Sequence, residues 1–205
     1  MTAAVAIVAH PARLDDANAL SDRVQADYLS LDHESRGERW NHQHALAALI
    51  DTDADWLVLL EDDAVPCSDF RDRLDDVLAT APGSLVSLYL GTGRWAGHDH
   101  RIHAGVVHRL IARADRDGTG WIRADGMWHA VGIAVRREQA KRLLRHLRSN
   151  GQPTDQAISA WCKYTRTPVH YTHPSLVDHA DGPTVTDHPD KQPRREARRA
   201  WRMEA

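Results

Sequence analysis

Residues 56–66 read Trp56-Leu57-Val58-Leu59-Leu60-Glu61-Asp62-Asp63-Ala64-Val65-Pro66, and this stretch decides the fold. An unbroken apolar run leads directly into three carboxylates, and a proline follows shortly afterwards. A short continuous apolar run that ends at turn residues predicts a strand buried on both faces, as in a parallel sheet. Open α/β sheets bind ligands beyond the carboxyl ends of their strands, so the three acids predict a ligand site at that edge.

The three adjacent acids have a physical cost. Like charges repel, and each carboxylate must be hydrated, hydrogen-bonded or bound to a cation. Oxygen-rich sites suit hard divalent ions such as Mg²⁺ or Mn²⁺, which also hold substrate phosphates. A cation site and a solvated acidic turn after a core strand are therefore the two interpretations of this stretch.

The segments on either side alternate between strand and helix patterns. Val5 to Ala9 is apolar throughout and predicts a first strand, and Tyr28 to Leu31 predicts a second. Helices are predicted from Asp15 or Asp16 to Tyr28 and from Trp40 to Ile50. This alternation predicts a single α/β domain with a Rossmann-like, mainly parallel sheet flanked by helices.

The second half of the chain mixes short strands, loops and helices. The strand candidates are Leu85 to Leu90, Trp121-Ile122, Met127 to Val135, Pro168 to His173 and Ser175 to Val177. Residues 91–105 hold glycines and histidines with little periodicity, so they predict a loop, and Ile102 to Ile111 predicts a hairpin or edge strand. Further helices are predicted from Ser68, from Arg136 to Leu147 and from Thr154 to about Tyr164.

Length and composition indicate one globular domain of residues 1–183 followed by a basic, proline-containing tail or helix at 184–205. No apolar run approaches the roughly 20 residues needed to span a bilayer. The two cysteines make no disulfide framework, which favours a reducing cytoplasm.

The charge is unevenly distributed. Residues 191–205 carry a local net charge of +4, which leaves about −7 for the rest of a chain whose total is −3. An acidic body suits cation binding, and the basic tail could contact nucleic acid or another phosphate-bearing partner.

The first strand ends at His10-Pro11-Ala12-Arg13, without a Walker loop or a Gly-x-Gly-x-x-Gly fingerprint, and Arg13 could reach a phosphate from there. Asp155 opens a predicted helix, where it either stabilises the helix or acts as a general base. Trp95 and Trp128 lie in predicted loops, where each either fills core space or offers a flat platform for a sugar or a base.

Together these residues resemble a nucleotide-sugar-dependent glycosyltransferase of the GT-A type, with similarity to glycosyltransferase family 25 and to the short glycosyltransferases of actinobacterial phages. The segments that carry the resemblance span residues 5 to about 183 in order: Ala9-His10-Pro11-x-Arg13, Arg36-Gly37-Glu38-Arg39-Trp40, Leu60-Glu61-Asp62-Asp63-Ala64-Val65-Pro66, Gly132-Ile133-Ala134-Val135, Thr154-Asp155 and Pro174-Ser175-Leu176-Val177-Asp178-His179.

The resemblance implies a GT-A fold in which Glu61-Asp62-Asp63 takes the place of the Asp-x-Asp motif. Asp63 would bind Mn²⁺ or Mg²⁺ together with His179, while Glu61 and Asp62 would help to hold the nucleotide ribose and the metal's waters. Asp155 would be the catalytic base of an inverting enzyme. The departure from the pattern is Glu61, whose longer side chain replaces the first aspartate.

The resemblance also implies where the substrates would bind. The donor, most commonly a UDP-sugar in this type, would contact a nucleotide-binding set that adds His10, Pro11, Arg13, Asp32, Arg39 and Trp40. The acceptor side would hold Trp95, Trp128 and His129. A glycan, a virion protein or a hydroxylated DNA base could be the acceptor, and the enzyme would work in the bacterial host cytoplasm if it is phage-encoded.

Two other function classes remain open from the sequence. A nucleic-acid-binding or assembly protein would use the basic tail and exposed tryptophans. A metal-dependent phosphohydrolase would use the same three acids as a transferase.

Overall fold

The computed structural model describes residues 1–92, 100–180 and 198–204. Its helices are α1 (Leu14–Val24), α2 (Glu38–Ile50), α3 (Phe70–Ala79), α4 (His100–Asp117), α5 (Arg137–Ser149) and α6 (Thr154–Thr165). Its strands are β1 (Ala3–Ala9), β2 (Tyr28–Leu31), β3 (Trp56–Glu61), β4 (Ala64–Pro66), β5 (Leu85–Ser87), β6 (Trp121–Ala124), β7 (Gly132–Arg136), β8 (Val169–Thr172) and β9 (Val177–His179).

Seven strands form one mixed sheet in the order β2-β1-β3-β7-β5-β8-β6. The neighbouring pairs β1–β2, β1–β3 and β5–β8 are parallel. Only β7 and β6 run against the others, because β7 pairs antiparallel with β3 and β5 and β6 pairs antiparallel with β8. The sheet is therefore mainly parallel and flanked by helices in a single domain, which confirms the predicted α/β fold class.

The predicted central strand β3 is buried on both faces, and its side chains alternate between two cores. Leu57 and Leu59 belong to the hydrophobic cluster that includes residues of α2, α4, α5 and α6. Trp56, Val58 and Leu60 belong to the cluster that includes residues of α1 and α3. Because both faces of the strand are covered, the continuous apolar run stops only where the chain leaves the sheet at the acids.

The predictions of a loop at 91–105 and of a hairpin or edge strand from Ile102 to Ile111 are wrong from His100 onwards, because His100–Asp117 forms α4. Val107, Ile111 and Ala114 are buried at steps of four and three residues, which is the spacing of one helix face. The histidines and the glycine of this segment concealed the pattern. Residues 93–99 lie outside the described residues.

Several predicted boundaries also shift. The strand predicted from Leu85 to Leu90 ends at Ser87, and the strand predicted from Met127 begins at Gly132. α1 ends at Val24 rather than Tyr28, because Gln25 adopts the left-handed conformation with φ 49°. The predicted domain boundary at residue 183 lies outside the described residues.

A two-stranded ribbon of β4 and β9 stands beside the end of β3. Its antiparallel register pairs Ala64 with His179. The described end of the chain lies against the same region, because Ala200 forms a bridge with Gly91 and Met203 forms a bridge with Ser175. Among the helices in the described part of the chain, none combines the length and apolar character needed to cross a bilayer.

Candidate functional site

The three acids lie where β1 and β3 end side by side. The parallel register places Glu61 opposite Val8, and the amide of Asp62 donates a hydrogen bond to the Val8 carbonyl at 3.1 Å. The chain then turns into β4, so the three side chains emerge at the carboxyl edge of the sheet. This is the edge at which an α/β sheet takes its ligands.

Asp62 and Asp63 share one arginine. Arg13 Nη1 lies 2.8 Å from Asp62 Oδ1 and 2.7 Å from Asp63 Oδ2, and each of the three side chains is at most 12% exposed. Burial lowers the pKa of the Arg13 guanidinium, but its hydrogen bonds to Asp63 and Asp62 outweigh this and raise that pKa. Burial raises the pKa of Asp62 even though the His10 amide and Arg13 oppose the shift.

The turn after β1 positions Arg13 for its contact with Asp62 and Asp63. The amide of His10 donates to Asp62 Oδ2 at 2.7 Å, and His10 Nδ1 accepts a hydrogen bond from the Ala12 amide at 3.1 Å. Pro11 is the first residue of a single 3-10 turn that ends at Arg13. At the start of such a turn the N–H group that proline lacks would have no partner within the turn, so its absence carries no penalty. The predicted residues His10, Pro11 and Arg13 therefore act together by directing the guanidinium at the acids.

His179 reaches the same point from the end of β9. Its Nε2 lies 3.4 Å from Asp63 Oδ2, and the Ala180 amide donates to the Asp63 carbonyl at 2.8 Å. Asp63 Oδ1 is buried and has no hydrogen-bond partner within the described ranges. A carboxylate with one such oxygen, whose other oxygen lies beside an imidazole nitrogen, fits the ligand set of a divalent ion.

A second group surrounds Glu61. His42 Nδ1 lies 3.2 Å from Glu38 Oε1, and His42 Nε2 lies 3.6 Å from Glu61 Oε1. One ligand atom from each of Glu38, His42 and Glu61 falls within 4.8 Å of the others, so these three residues could hold a metal ion. His42 is almost fully buried, and its Nε2 has no hydrogen-bond partner in the part of the chain that is described.

Sequence reasoning missed Glu38 and His42. The sequence predicts a helix that begins at Trp40, which leaves Glu38 outside it and hides its i, i+4 spacing to His42. The structure begins α2 at Glu38, one residue after Gly37, whose φ of +94° suits glycine. The Glu-x-x-x-His spacing at a helix start was the signal that could have identified this pair.

Glu61 and Asp155 both favour their protonated forms more than ordinary carboxyl groups do. The pKa of Glu61 is raised well above its usual range, first by burial and then by the charges of Asp63, Glu38, Asp62 and Asp155. The pKa of Asp155 is raised to about 6, mainly by burial, against a hydrogen bond from the Gln156 amide. Such shifts accompany acid–base sites and also structural charge clusters.

The remaining nucleotide-side residues make contacts with other parts of the chain. Both carboxylate oxygens of Asp32 accept hydrogen bonds from the backbone, at 2.9 Å from the Arg36 amide and 2.6 Å from the Gly37 amide. Asp32 therefore shapes the loop before α2. Arg39 is exposed and donates to the Asn150 carbonyl at 3.3 Å.

Trp40 lies in a small stack on the outer part of α2. Its ring stacks on His44 with a centroid distance of 4.8 Å, and the Arg36 guanidinium carbon lies 4.6 Å from the Trp40 centroid. Trp40 is half-buried in this stack, whereas Arg36 and His44 are exposed.

The three residues predicted on the acceptor side differ in their surroundings. The interpretation of Trp128 as an open platform is wrong, because it is only 7% exposed and stacks on Tyr171 with ring centroids 4.9 Å apart. His129 packs edge-on against Tyr89 at 5.4 Å, and Tyr89 in turn lies 6.3 Å from the His179 ring. Trp95 lies outside the described residues.

Comparisons with known proteins identify no family for this chain. No protein-family model matches the chain, and no curated protein matches it. Among solved structures, A197 from STIV has 14% identity and a TM-score of 0.47, with 89% of this chain and 87% of that chain covered. Mannose-1-phosphate geranyltransferase from Thermus thermophilus has 12% identity and a TM-score of 0.47, with 84% and 74% covered. Likenesses at this level carry no argument about activity.

Proposed function

We propose that this chain is a metal-dependent glycosyltransferase that moves a sugar from a nucleoside-diphosphate sugar to an acceptor hydroxyl, with inversion at the anomeric carbon. The observation that supports it most is the approach of His179 Nε2 to Asp63 Oδ2, at 3.4 Å. Two residues far apart in the chain, of the types that bind divalent ions, meet at the ligand-binding edge of the sheet.

The metal would be held by Asp63 and His179. The buried oxygen of Asp63 that has no hydrogen-bond partner in the described ranges supports this assignment. When bound, a divalent ion would neutralise the charge that develops on the departing nucleoside diphosphate. Glu38, His42 and Glu61 are a neighbouring group that could hold a metal ion as well.

Arg13 would bind the donor phosphates. It now neutralises two carboxylates at once, and a cation at Asp63 would release its guanidinium for hydrogen bonds to the diphosphate. Arginine suits this role because its planar fork of N–H groups matches phosphate oxygens. It would stabilise the leaving group most strongly as negative charge develops there.

Asp155 would take the proton from the acceptor hydroxyl as the oxygen attacks the anomeric carbon. Burial raises the pKa of Asp155 to about 6, which makes its carboxylate a stronger base than an ordinary one while leaving it mostly ionised at neutral pH. The charge of Asp155 makes the smallest contribution to the raised pKa of Glu61, which supports a base on the same side of the sheet as the acids.

Hydrolysis of a nucleotide sugar in Mn²⁺ without acceptor tests the proposal, measured as release of nucleoside diphosphate over a panel of donors. Asp63→Asn keeps the side-chain shape and should lower the rate by about 100-fold, because it removes charge stabilisation of the leaving group. Asp75→Asn removes one exposed carboxylate from α3 and should leave the rate unchanged. Equal turnover in wild type and Asp63→Asn would contradict the proposal.

The phosphohydrolase alternative uses the same acids and is separated by the product. A hydrolase would release inorganic phosphate from sugar phosphates or nucleotides, whereas a transferase leaves the diphosphate intact. A phosphate-release assay with the same two variants therefore distinguishes the two activities.

A further inference from the structure

The outer side of α5 carries a row of exposed, positively charged side chains. Lys141, Arg142, Arg145 and Arg148 are all exposed, and none forms an ion pair or a hydrogen bond with any residue in the described ranges. Their spacing puts like charges three and four residues apart on one helix, which destabilises an isolated helix. Because no ion pair within the described ranges occupies these four side chains, they are available to bind an anionic partner.

Two grooves flank this row. One, of about 460 Å³, lies between α5 and α2 and is lined by Lys141, Arg145 and Arg148 with a single acid, Asp51. The other, of about 220 Å³, lies between α5 and α6, and Arg145 lines both. The cations therefore stand on a ridge with a depression on either side.

An exposed aromatic ring completes the surface. Tyr164 is 84% exposed and lines the second groove together with Arg142 and Arg145. An aromatic ring beside a positive track is the combination by which proteins hold single-stranded nucleic acids, since bases stack on the ring while cations follow the phosphates. We name Lys141, Arg142, Arg145, Arg148 and Tyr164 the α5 surface.

We propose that the α5 surface binds a single-stranded polynucleotide. The row from Lys141 to Arg148 is about 10 Å long at 1.5 Å per residue, which exceeds one phosphate and suits a repeating polyanion. The chain as a whole has a net charge of −3, so the attraction comes from this local surface rather than from the overall charge.

A membrane surface fits these observations less well. A helix that binds an anionic bilayer inserts its apolar face into the headgroup region. The apolar face of α5, formed by Ala140, Leu143, Leu144 and Leu147, is buried in the protein core. The α5 surface could thus offer lipids charge alone.

The position of the α5 surface relates it to the candidate site. α5 ends at Ser149, and the carbonyl of the next residue, Asn150, accepts the hydrogen bond from Arg39. α6 begins soon afterwards, with Asp155 in its first turn. A polynucleotide bound along α5 would extend towards Asp155. The idea that this polynucleotide is the acceptor rests on the proposed function, whereas the proposal that it binds to the α5 surface does not.

Fluorescence anisotropy with a labelled 20-residue oligothymidylate, without donor or metal, tests the proposal between 50 and 200 mM salt. The triple variant Arg142→Ala, Arg145→Ala, Arg148→Ala should bind more weakly and reduce the slope of log affinity against log salt by about 2, since each lost phosphate contact contributes about 0.7. Tyr164→Ala should weaken binding of the single strand by about fivefold or more but that of a duplex much less.

The matched control removes the same number of positive charges from α4, where Arg109, Arg113 and Arg116 are exposed. It is the triple variant Arg109→Ala, Arg113→Ala, Arg116→Ala. It should leave the affinity and salt slope near wild type. An equal loss in the control, or no binding by the wild type, would overturn the proposal. Binding to phosphatidylserine-containing vesicles without binding to the oligonucleotide would also overturn it. Retained binding in Asp63→Asn would show that this surface and the transferase function stand separately.

Discussion

The charges of Asp62 and Asp63 are neutralised by a neighbouring side chain rather than by solvent. Arg13 contacts both Asp62 and Asp63, so two largely buried carboxylates depend on one guanidinium. Removing one partner of a buried ion pair is far more costly than removing an exposed pair. Arg13 is therefore both a structural counter-ion and the residue that a bound cation would have to displace.

Asp155 gives a pH-dependent prediction at the same scale. Burial raises its pKa to about 6, so the folded protein holds this proton more tightly than the unfolded chain does. We expect the stability that comes from this group to be fully present at about pH 4 and lost as the pH rises to about 6, a difference of roughly 2 to 3 kcal/mol. Asp155→Asn should remove this loss.

The measurement is the free energy of unfolding in urea at several pH values for wild type and Asp155→Asn. The variant should gain stability relative to wild type as the pH rises from about 4 to about 6, and the gap should stay constant above that. Asp75→Asn, at an exposed position on α3, should show no such divergence. Parallel pH profiles of wild type and Asp155→Asn would contradict the assigned pKa shift.

At the scale of elements, the site depends on how closely the start of β7 packs beside the end of β3. Gly132 begins β7, and a Cβ atom at this position would lie 3.0 Å from Val177 Cγ2, 3.2 Å from Leu88 Cβ and 3.4 Å from a Leu60 methyl group. Val177 begins β9, the strand that ends at His179. The close packing at Gly132 therefore links the sheet to the ribbon that carries His179.

Gly132→Ala should place a methyl group too close to Val177 and Leu88 and lower the free energy of unfolding by about 1 to 3 kcal/mol, as overpacking of a core does. The comparison is Gly105→Ala on α4, where the new Cβ atom meets only Arg109 Nη1 at 3.6 Å. There, the better helix propensity of alanine should stabilise the protein by about 0.5 to 1 kcal/mol. Urea unfolding of both variants checks the opposite signs, and a neutral Gly132→Ala would show that β9 can move away freely.

At the scale of the whole molecule, the described end of the chain returns to the body beside the candidate site. Trp201 Nε1 donates to the Gly91 carbonyl at 2.9 Å, and the Arg202 guanidinium bonds both carboxylate oxygens of Asp115 at 2.5 and 2.8 Å. Arg199 Nη1 donates to the His179 carbonyl at 3.3 Å. The basic residues 199 and 202 are thus engaged with the protein itself.

Trp201 should therefore contribute to global stability. Trp201→Ala removes a half-buried ring that packs against the core and should lower the free energy of unfolding by about 2 kcal/mol. Trp201→Phe keeps most of the packing but loses the hydrogen bond to Gly91, so we expect a loss of about 1 kcal/mol. Thermal unfolding of both variants measures these losses of stability. A Trp201→Ala protein as stable as wild type would mean that residues 198–204 do not hold this position in solution.

The sequence by itself predicted the parallel β1–β2–β3 part of the sheet, the double burial of β3, and the place of the acids at its end. These features are local, because an apolar run, its length and the turn residues behind it are all read within a few positions. It could not predict α4, where histidines and a glycine obscured the helical spacing of Val107, Ile111 and Ala114.

Only the tertiary structure decided which distant residues share the site. The insertion of β7 antiparallel between β3 and β5, the register that pairs Ala64 with His179, and the closeness of His42 to Glu61 all depend on long-range pairing. A strand's own pattern records which of its faces are buried but not which strand lies beside it. For the same reason the bond from Arg13 to both acids was invisible in the chain, since it arises only where two parallel strands end together.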